Sequence, residues 1–160
     1  MLSETAIGSA DPVAFLEAAV KFCNEQVWGT LSATIVVHPQ TMKDPKVAAA
    51  VEKALGDLRY GAVAINHWPA LAYAFCTTPW GGHPSSSLED IQSGRGWVHN
   101  TFMLEGIEKC VVRGPLVAKP TPPWFPNHKT AHRLGARLVK FEAAPSALKL
   151  PGMIWNALRG

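Results

Sequence analysis

The chain has 160 residues, 48% apolar and 17% charged, with a net charge of +3. That length fits one domain, and that balance excludes a disordered chain. No run of 18 apolar residues occurs, so no membrane span is expected, and the first residues carry Glu4 and no base, which argues against a secretion signal. Cys23, Cys76 and Cys110 are odd in number and widely spaced, which points away from a disulfide framework or a zinc ribbon and towards a reducing cytoplasm. The charge is unevenly spread. From Lys109 onward there are nine lysines and arginines and one acid, Glu142. Such asymmetry marks a solvated face, an acidic partner, a nucleic acid or a membrane surface.

In chain order, Asp11 caps a first helix and Pro12 occupies its first position, where the missing N–H costs nothing. Val13, Leu16, Ala19, Val20 and Cys23 recur at helical spacing, with the end expected between Asn24 and Val27. Thr30 to Val37 alternates apolar and polar residues and is rich in β-branched side chains, which predicts a strand. Asp44-Pro45 starts a second helix with Val47, Val51, Ala54, Leu55 and Leu58 on one face, and Gly61 is read as its C-terminal stop. Ala62 to Ile65 is continuously apolar, as in a strand buried on both faces. Strand, helix, strand makes a βαβ unit, so the two strands should be parallel. Two parallel strands do not shield themselves. Further strand candidates are Lys109 to Val112 and Leu116 to Ala118.

Beyond Gly82 the pattern is irregular. Ser85 to Ser87 is expected to cap a short helix through Ile91, and Trp97 to Leu104 is apolar enough for burial. Five prolines between Pro115 and Pro126 predict an extended segment that is no central strand. A last helix is expected from Lys129 to Phe141. Pro145 and Pro151-Gly152 should break the tail before an apolar turn at Met153 to Leu158.

Each candidate for chemistry has a plainer reading. Cys23 lies on the apolar stripe of the first helix and reads as a core thiol, and Cys110 reads as structural. Cys76, close in sequence to His67 and His83, sits where a reactive thiol would make sense, but packing is favoured. His128 and His132 have i, i+4 spacing, yet Lys129 stands where a metalloprotease carries Glu, and a third ligand is missing. Ser93-Gly94-Arg95-Gly96 is neither a Walker loop nor a dinucleotide fingerprint. Trp68, Tyr73, Phe75 and Trp80 suit a pocket wall or a core equally.

Several segments together carry a resemblance. Phe22-Cys23-Asn24 leads to Trp28-Gly29-Thr30-Leu31-Ser32-Ala33. A helix ends in Leu58-Arg59-Tyr60-Gly61, and a strand ends in Ile65-Asn66. Pro79-Trp80-Gly81-Gly82 and Ser93-Gly94-Arg95-Gly96 follow. In this order, over roughly Val13 to Arg113, the chain resembles the C-terminal part of the catalytic domain of NAD(P)-dependent aldehyde dehydrogenases. That family has Ala-Asn-x-x-x-Gly-Leu-x-Ala, Gly-x-Val-x-Val-Asn, Pro-Phe-Gly-Gly and Ser-Gly-x-Gly-Arg at the corresponding places. Here the loop from Asn66 to Trp80 and the spacing from Gly82 to Ser93 are longer than the family pattern.

The resemblance implies an α/β fold: a partial catalytic domain with a βαβ unit and parallel strands over residues 1–114. A proline-rich extended segment and a basic helix follow over 115–160. It implies aldehyde oxidation to the acid with NAD or NADP. The family's nucleophilic Cys, base Glu and nucleotide-binding domain belong upstream of the matched region. No catalytic residue is therefore expected here, no cofactor is expected to bind this chain alone, and the chain alone should be inactive. His67, Trp68 and Leu71 would border the substrate channel, and Trp80 would form its aromatic wall. The partners implied are a second copy or a separate upstream aldehyde dehydrogenase segment, with no membrane. Two other classes stay open: a non-enzymatic association module, and nucleic-acid binding through the basic last third, for which no motif is present.

Overall fold

A computed structural model describes residues 10–160. The reading of the first residues as lacking a secretion signal lies outside the described residues. The chain divides into two compact units, one running to Leu116 and the other spanning Val117–Gly160.

The first unit is a mixed helix and strand structure around a parallel three-stranded sheet of order β1-β2-β3, with β1 at Ser32–Ile35, β2 at Ala62–Ile65 and β3 at Cys110–Arg113. Register runs Ala33↔Val63↔Val111 and Ile35↔Ile65↔Arg113. The βαβ expectation holds: β1 and β2 are parallel and joined through helix α2, Pro45–Asp57. The central strand β2 is buried along its whole length, as its unbroken apolar run requires. Helix α1, Pro12–Gln26, is capped by the Asp11 carboxylate, which accepts from the Val13 and Ala14 amides. The Asp44 carboxylate does the same for α2 at Lys46.

Helices cover one face of the sheet. Val63 and Ile65 meet Val47, Val51 and Leu55 of α2 and Leu58 just past its end, and Leu16, Val20 and Cys23 of α1 pack on this cluster. The opposite face is thinner. Ala62 and Cys110 pack with Ala72 of the single-turn helix α3, Leu71–Ala74, and with Trp80 and Val112. Small side chains on that face let the 66–82 loop lie close to the sheet.

Four local expectations are corrected. The strand read over Thr30 to Val37 is confined to Ser32–Ile35. Leu116 to Ala118 is not a strand. Ser85 to Ile91 forms no helix; the Ser87 amide donates to the Asp90 carbonyl while its Oγ accepts from the Glu89 and Asp90 amides, which closes a tight turn. Val98, Phe102, Met103 and Leu104 are exposed, not buried.

The second unit holds helices α4, Ala131–Ala143, and α5, Leu150–Leu158. Pro151-Gly152 does not break the tail. Pro151 lies in the first turn of α5, where its missing N–H is harmless, and the expected apolar turn is a helix. Among the described residues no helix is long and apolar enough to cross a membrane.

Candidate functional site

The head of the sheet is organised around Thr30. Its amide donates to the Ser93 Oγ at 2.8 Å, and its carbonyl accepts from the Gly61 and His83 amides at 2.8 and 3.1 Å. Its hydroxyl lies 3.2 Å from that of Ser86, and both residues are buried. Gly29 donates to the Gln92 Oε1 at 2.7 Å. Backbones also cross here without side chains between them. A Cβ on Gly61 would strike the Gly81 carbonyl, one on Gly81 the Gly96 carbonyl, and one on Gly82 would lie 2.6 Å from the Gly94 carbonyl. The segments containing Gly29, Gly61, Gly81-Gly82 and Ser93–Gly96 thus meet in one place. A cavity of about 430 Å³ opens beside them, lined in part by Trp28, Thr30, Arg59, Ser85 and Gln92.

The other candidates start at the carboxyl end of the sheet and run back over its thinner face. Asn66 follows β2 with φ +54°, a left-handed conformation that Asn tolerates. Its Oδ1 accepts from the Val37 amide at 2.8 Å and its Nδ2 donates to the Val37 carbonyl at 2.9 Å. The side chain acts as one more peptide unit in the β1–β2 ladder. Asn66→Gly relieves the left-handed strain and removes the clamp, so urea unfolding is expected to show a loss of about 1–2 kcal/mol; Asn66→Ala should lose roughly 1 kcal/mol more.

His67 is half-buried, and its ring fills the space beside Gly114, just past β3, where a Cβ would collide with it. Trp68 is 54% exposed. Leu71 opens α3 and is half-buried. Trp80 is tied into a bridge with Val98 and packs edge-on against Tyr73, with ring centroids 6.0 Å apart. Tyr73 also stacks on His99 at 4.5 Å. Tyr73 and Phe75, like Trp68, are exposed, so these three are not core residues. The aromatic loop is a surface patch on the thinner face of the sheet, with Trp80 rooted beneath it against Ala62 and Cys110.

The sequence reading missed one polar constellation. The His83 Nδ1 accepts from the Ser85 hydroxyl at 2.9 Å, while Nε2 faces Glu108 at 3.4 Å. Because the same Nδ1 also accepts the Ser85 amide at 3.1 Å, the imidazole closes a local turn. The Glu108 carboxyl is held below its ordinary range, first by a hydrogen bond from Lys109 and then by His83. Only the His-x-Ser spacing hinted at this, and Glu108 is too distant in sequence to be paired with it.

The thiols divide by environment. Burial pushes the Cys23 and Cys110 thiols upward, so both stay protonated at neutral pH. Cys76 is exposed. A colorimetric thiol reagent is therefore expected to titrate one cysteine rapidly in the native protein and three in denaturant; two or three fast thiols would contradict this packing. His128 is buried and His132 exposed, and they do not share a helical face, because α4 starts at Ala131. The His128 Nε2 donates to the Ala157 carbonyl at 3.3 Å and Nδ1 accepts from the Thr130 amide. Among the described residues no group of three His, Cys, Asp or Glu could hold a metal ion.

A dinucleotide does not fit the β1–α2 junction. Residues 36–44 contain no glycine, and the Asp44 carboxylate already occupies the α2 N-terminus, where a pyrophosphate would meet its charge. Compared with protein-family models, curated proteins and solved structures, the chain matches none.

Proposed function

We propose that this chain is the closing portion of an aldehyde dehydrogenase-like catalytic domain. It would serve the oxidation of an aldehyde to a carboxylic acid in the cytoplasm only when a separate segment supplies the nucleophilic Cys, the base Glu and the NAD(P) site. One observation carries the reading. The four quoted glycine-bearing segments, scattered from Gly29 to Gly96, come together at the head of one parallel sheet, three of them through backbone crossings that only glycine permits and the Gly29 segment through hydrogen bonds of Gly29 and Thr30. On this reading His67, Trp68, Leu71 and Trp80 are substrate-side residues, with Trp68 and its aromatic neighbours forming one wall of a channel that the other segment completes.

Two exposed strand edges favour association as the means. Among the described residues β1 and β3 each have a neighbour on one side only in the sheet. The chain alone is expected to produce no NAD(P)H from a panel of aldehydes. Mixed with a separately expressed aldehyde dehydrogenase segment bearing the nucleophile and the nucleotide domain, it is expected to restore turnover. Turnover by the chain alone overturns its inactivity, and none in the mixture overturns the family reading. Light scattering after size exclusion decides the association: a stable monomer, with or without that segment, overturns it.

A further inference from the structure

Helix α5 is built inside out. Its buried side holds Asn156, whose Nδ2 donates to the Gly152 carbonyl at 2.7 Å and whose carbonyl accepts from the Thr130 hydroxyl at 2.6 Å. Its outward side holds Ile154, Trp155 and Leu158, which are 56%, 61% and 57% exposed. Water solvates such a face poorly, and a contiguous exposed apolar patch marks a contact surface.

The charge of the unit that carries that face, with Arg159 at the edge of the face, restricts what covers it. Val117–Gly160 contains seven lysines and arginines and one acid, Glu142. Arg133, Arg137 and Lys140 are exposed on α4 at i, i+4, i+7 spacing, and the Arg137 guanidinium reaches α5 beside Gly152. The Arg159 guanidinium lies 5.1 Å from the Trp155 ring centroid, so a base stands at the edge of the apolar face. A second copy would bring the same positive charge to the same place and be repelled. A nucleic acid would answer the charge but give Ile154 and Leu158 no apolar partner. An anionic lipid surface answers both, with headgroups for the bases and acyl chains for the apolar residues.

We propose that the Val117–Gly160 unit docks on anionic lipid surfaces, laying the Ile154, Trp155 and Leu158 face of α5 into the interface while the α4 bases and Arg159 contact headgroups. The nine residues of α5 are far too few to span a bilayer, so the helix lies in the interface plane. The expectation that no membrane is a partner rests on the lack of a span, and a helix lying in the interface needs none.

The test uses the full chain and sedimentation with vesicles. The chain is expected to pellet with phosphatidylcholine vesicles containing about a third phosphatidylserine, and to stay in solution with phosphatidylcholine alone. The double variant Ile154→Ser, Trp155→Ser should bind about tenfold or more weakly. Arg133→Gln and Arg137→Gln should each weaken binding about fivefold. All four positions are exposed, and far-UV circular dichroism checks that the helices persist; the comparison of lipid compositions needs no variant at all. The proposal is overturned by no pelleting on anionic vesicles, or by equal pelleting on both compositions. It is also overturned if the serine pair leaves binding unchanged, or if that pair instead dissolves a dimer of a chain that ignores vesicles.

Discussion

Gly61→Ala is expected to destabilise the protein by at least about 3 kcal/mol, seen as loss of soluble yield or a large fall in the urea midpoint. The added Cβ would overlap the Gly81 carbonyl, and neither backbone is free to retreat. Gly61 donates to the Thr30 carbonyl at 2.8 Å, and its own carbonyl accepts from the Cys110 amide at 2.8 Å. Moving it would break the first rung on both sides of the central strand. Gly81 is held in turn by its closeness to the Gly96 carbonyl. Overpacking among side chains is relieved by rotamer changes, but two backbones in contact have none, which puts the cost at the upper end of its usual range. Gly56 is the control. It lies inside α2, and a Cβ there meets nothing within 4 Å, so Gly56→Ala should stabilise by about 0.5–1 kcal/mol. Opposite signs for two Gly→Ala changes five positions apart separate a packing requirement from a propensity effect; a Gly61→Ala protein as stable as wild type would remove the close backbone crossing.

That contrast shows what the sequence made legible. Asp11-Pro12 and Asp44-Pro45 mark helix starts by a local mechanism, cap plus proline, and both helices begin at Pro12 and Pro45. Ala62–Ile65 is legible because burial on both faces leaves no polar residue in the run. The sequence marks Gly61 as a helix stop, yet α2 ends at Asp57, and the backbone at Gly61 is not left-handed. Its requirement comes from Gly81, and neither spacing nor propensity reports a tertiary approach of that kind. The inverted α5 is hidden for a similar reason. Ile154, Trp155 and Leu158 look like core by composition, and only the contacts of Asn156 show which side faces in. At the candidate site His67, Trp68, Leu71 and Trp80 are assigned to the substrate side only by the resemblance, and the sequence shows no more than that they follow the apolar run of β2. The clamp from Asn66 to Val37 is not legible, because it joins residues that only the parallel register brings together.

Lys109→Met is expected to cost about 2–3 kcal/mol in urea unfolding, a large effect for one lysine. A helix leaves its last carbonyls without intrahelical partners, and α2 has no left-handed residue to turn the chain back onto them. Two side chains from elsewhere serve instead. The Asn24 Nδ2 donates to the Asp57 carbonyl at 2.8 Å, while its Oδ1 accepts from the Arg59 amide. The Lys109 ammonium donates to the carbonyls of Leu55, Gly56 and Leu58 at 3.0, 2.7 and 2.6 Å, and its charge pairs with the Glu108 carboxylate at 2.9 Å. Only 10% of its side chain is exposed, so water does not readily replace it. Methionine keeps the length and the apolar stem, so the loss isolates the ammonium and its place near the negative end of the helix dipole. Lys109→Arg offers a planar fork to three carbonyls that converge on a point, and is expected to recover less than half of the loss. Since Lys109 immediately precedes β3, the same ammonium joins the end of α2 to the start of the third strand. Hydrogen exchange in the Met variant should therefore rise at Leu58 and Cys110 together; a change confined to one of the two would mean that the lysine caps a helix without holding the sheet to it.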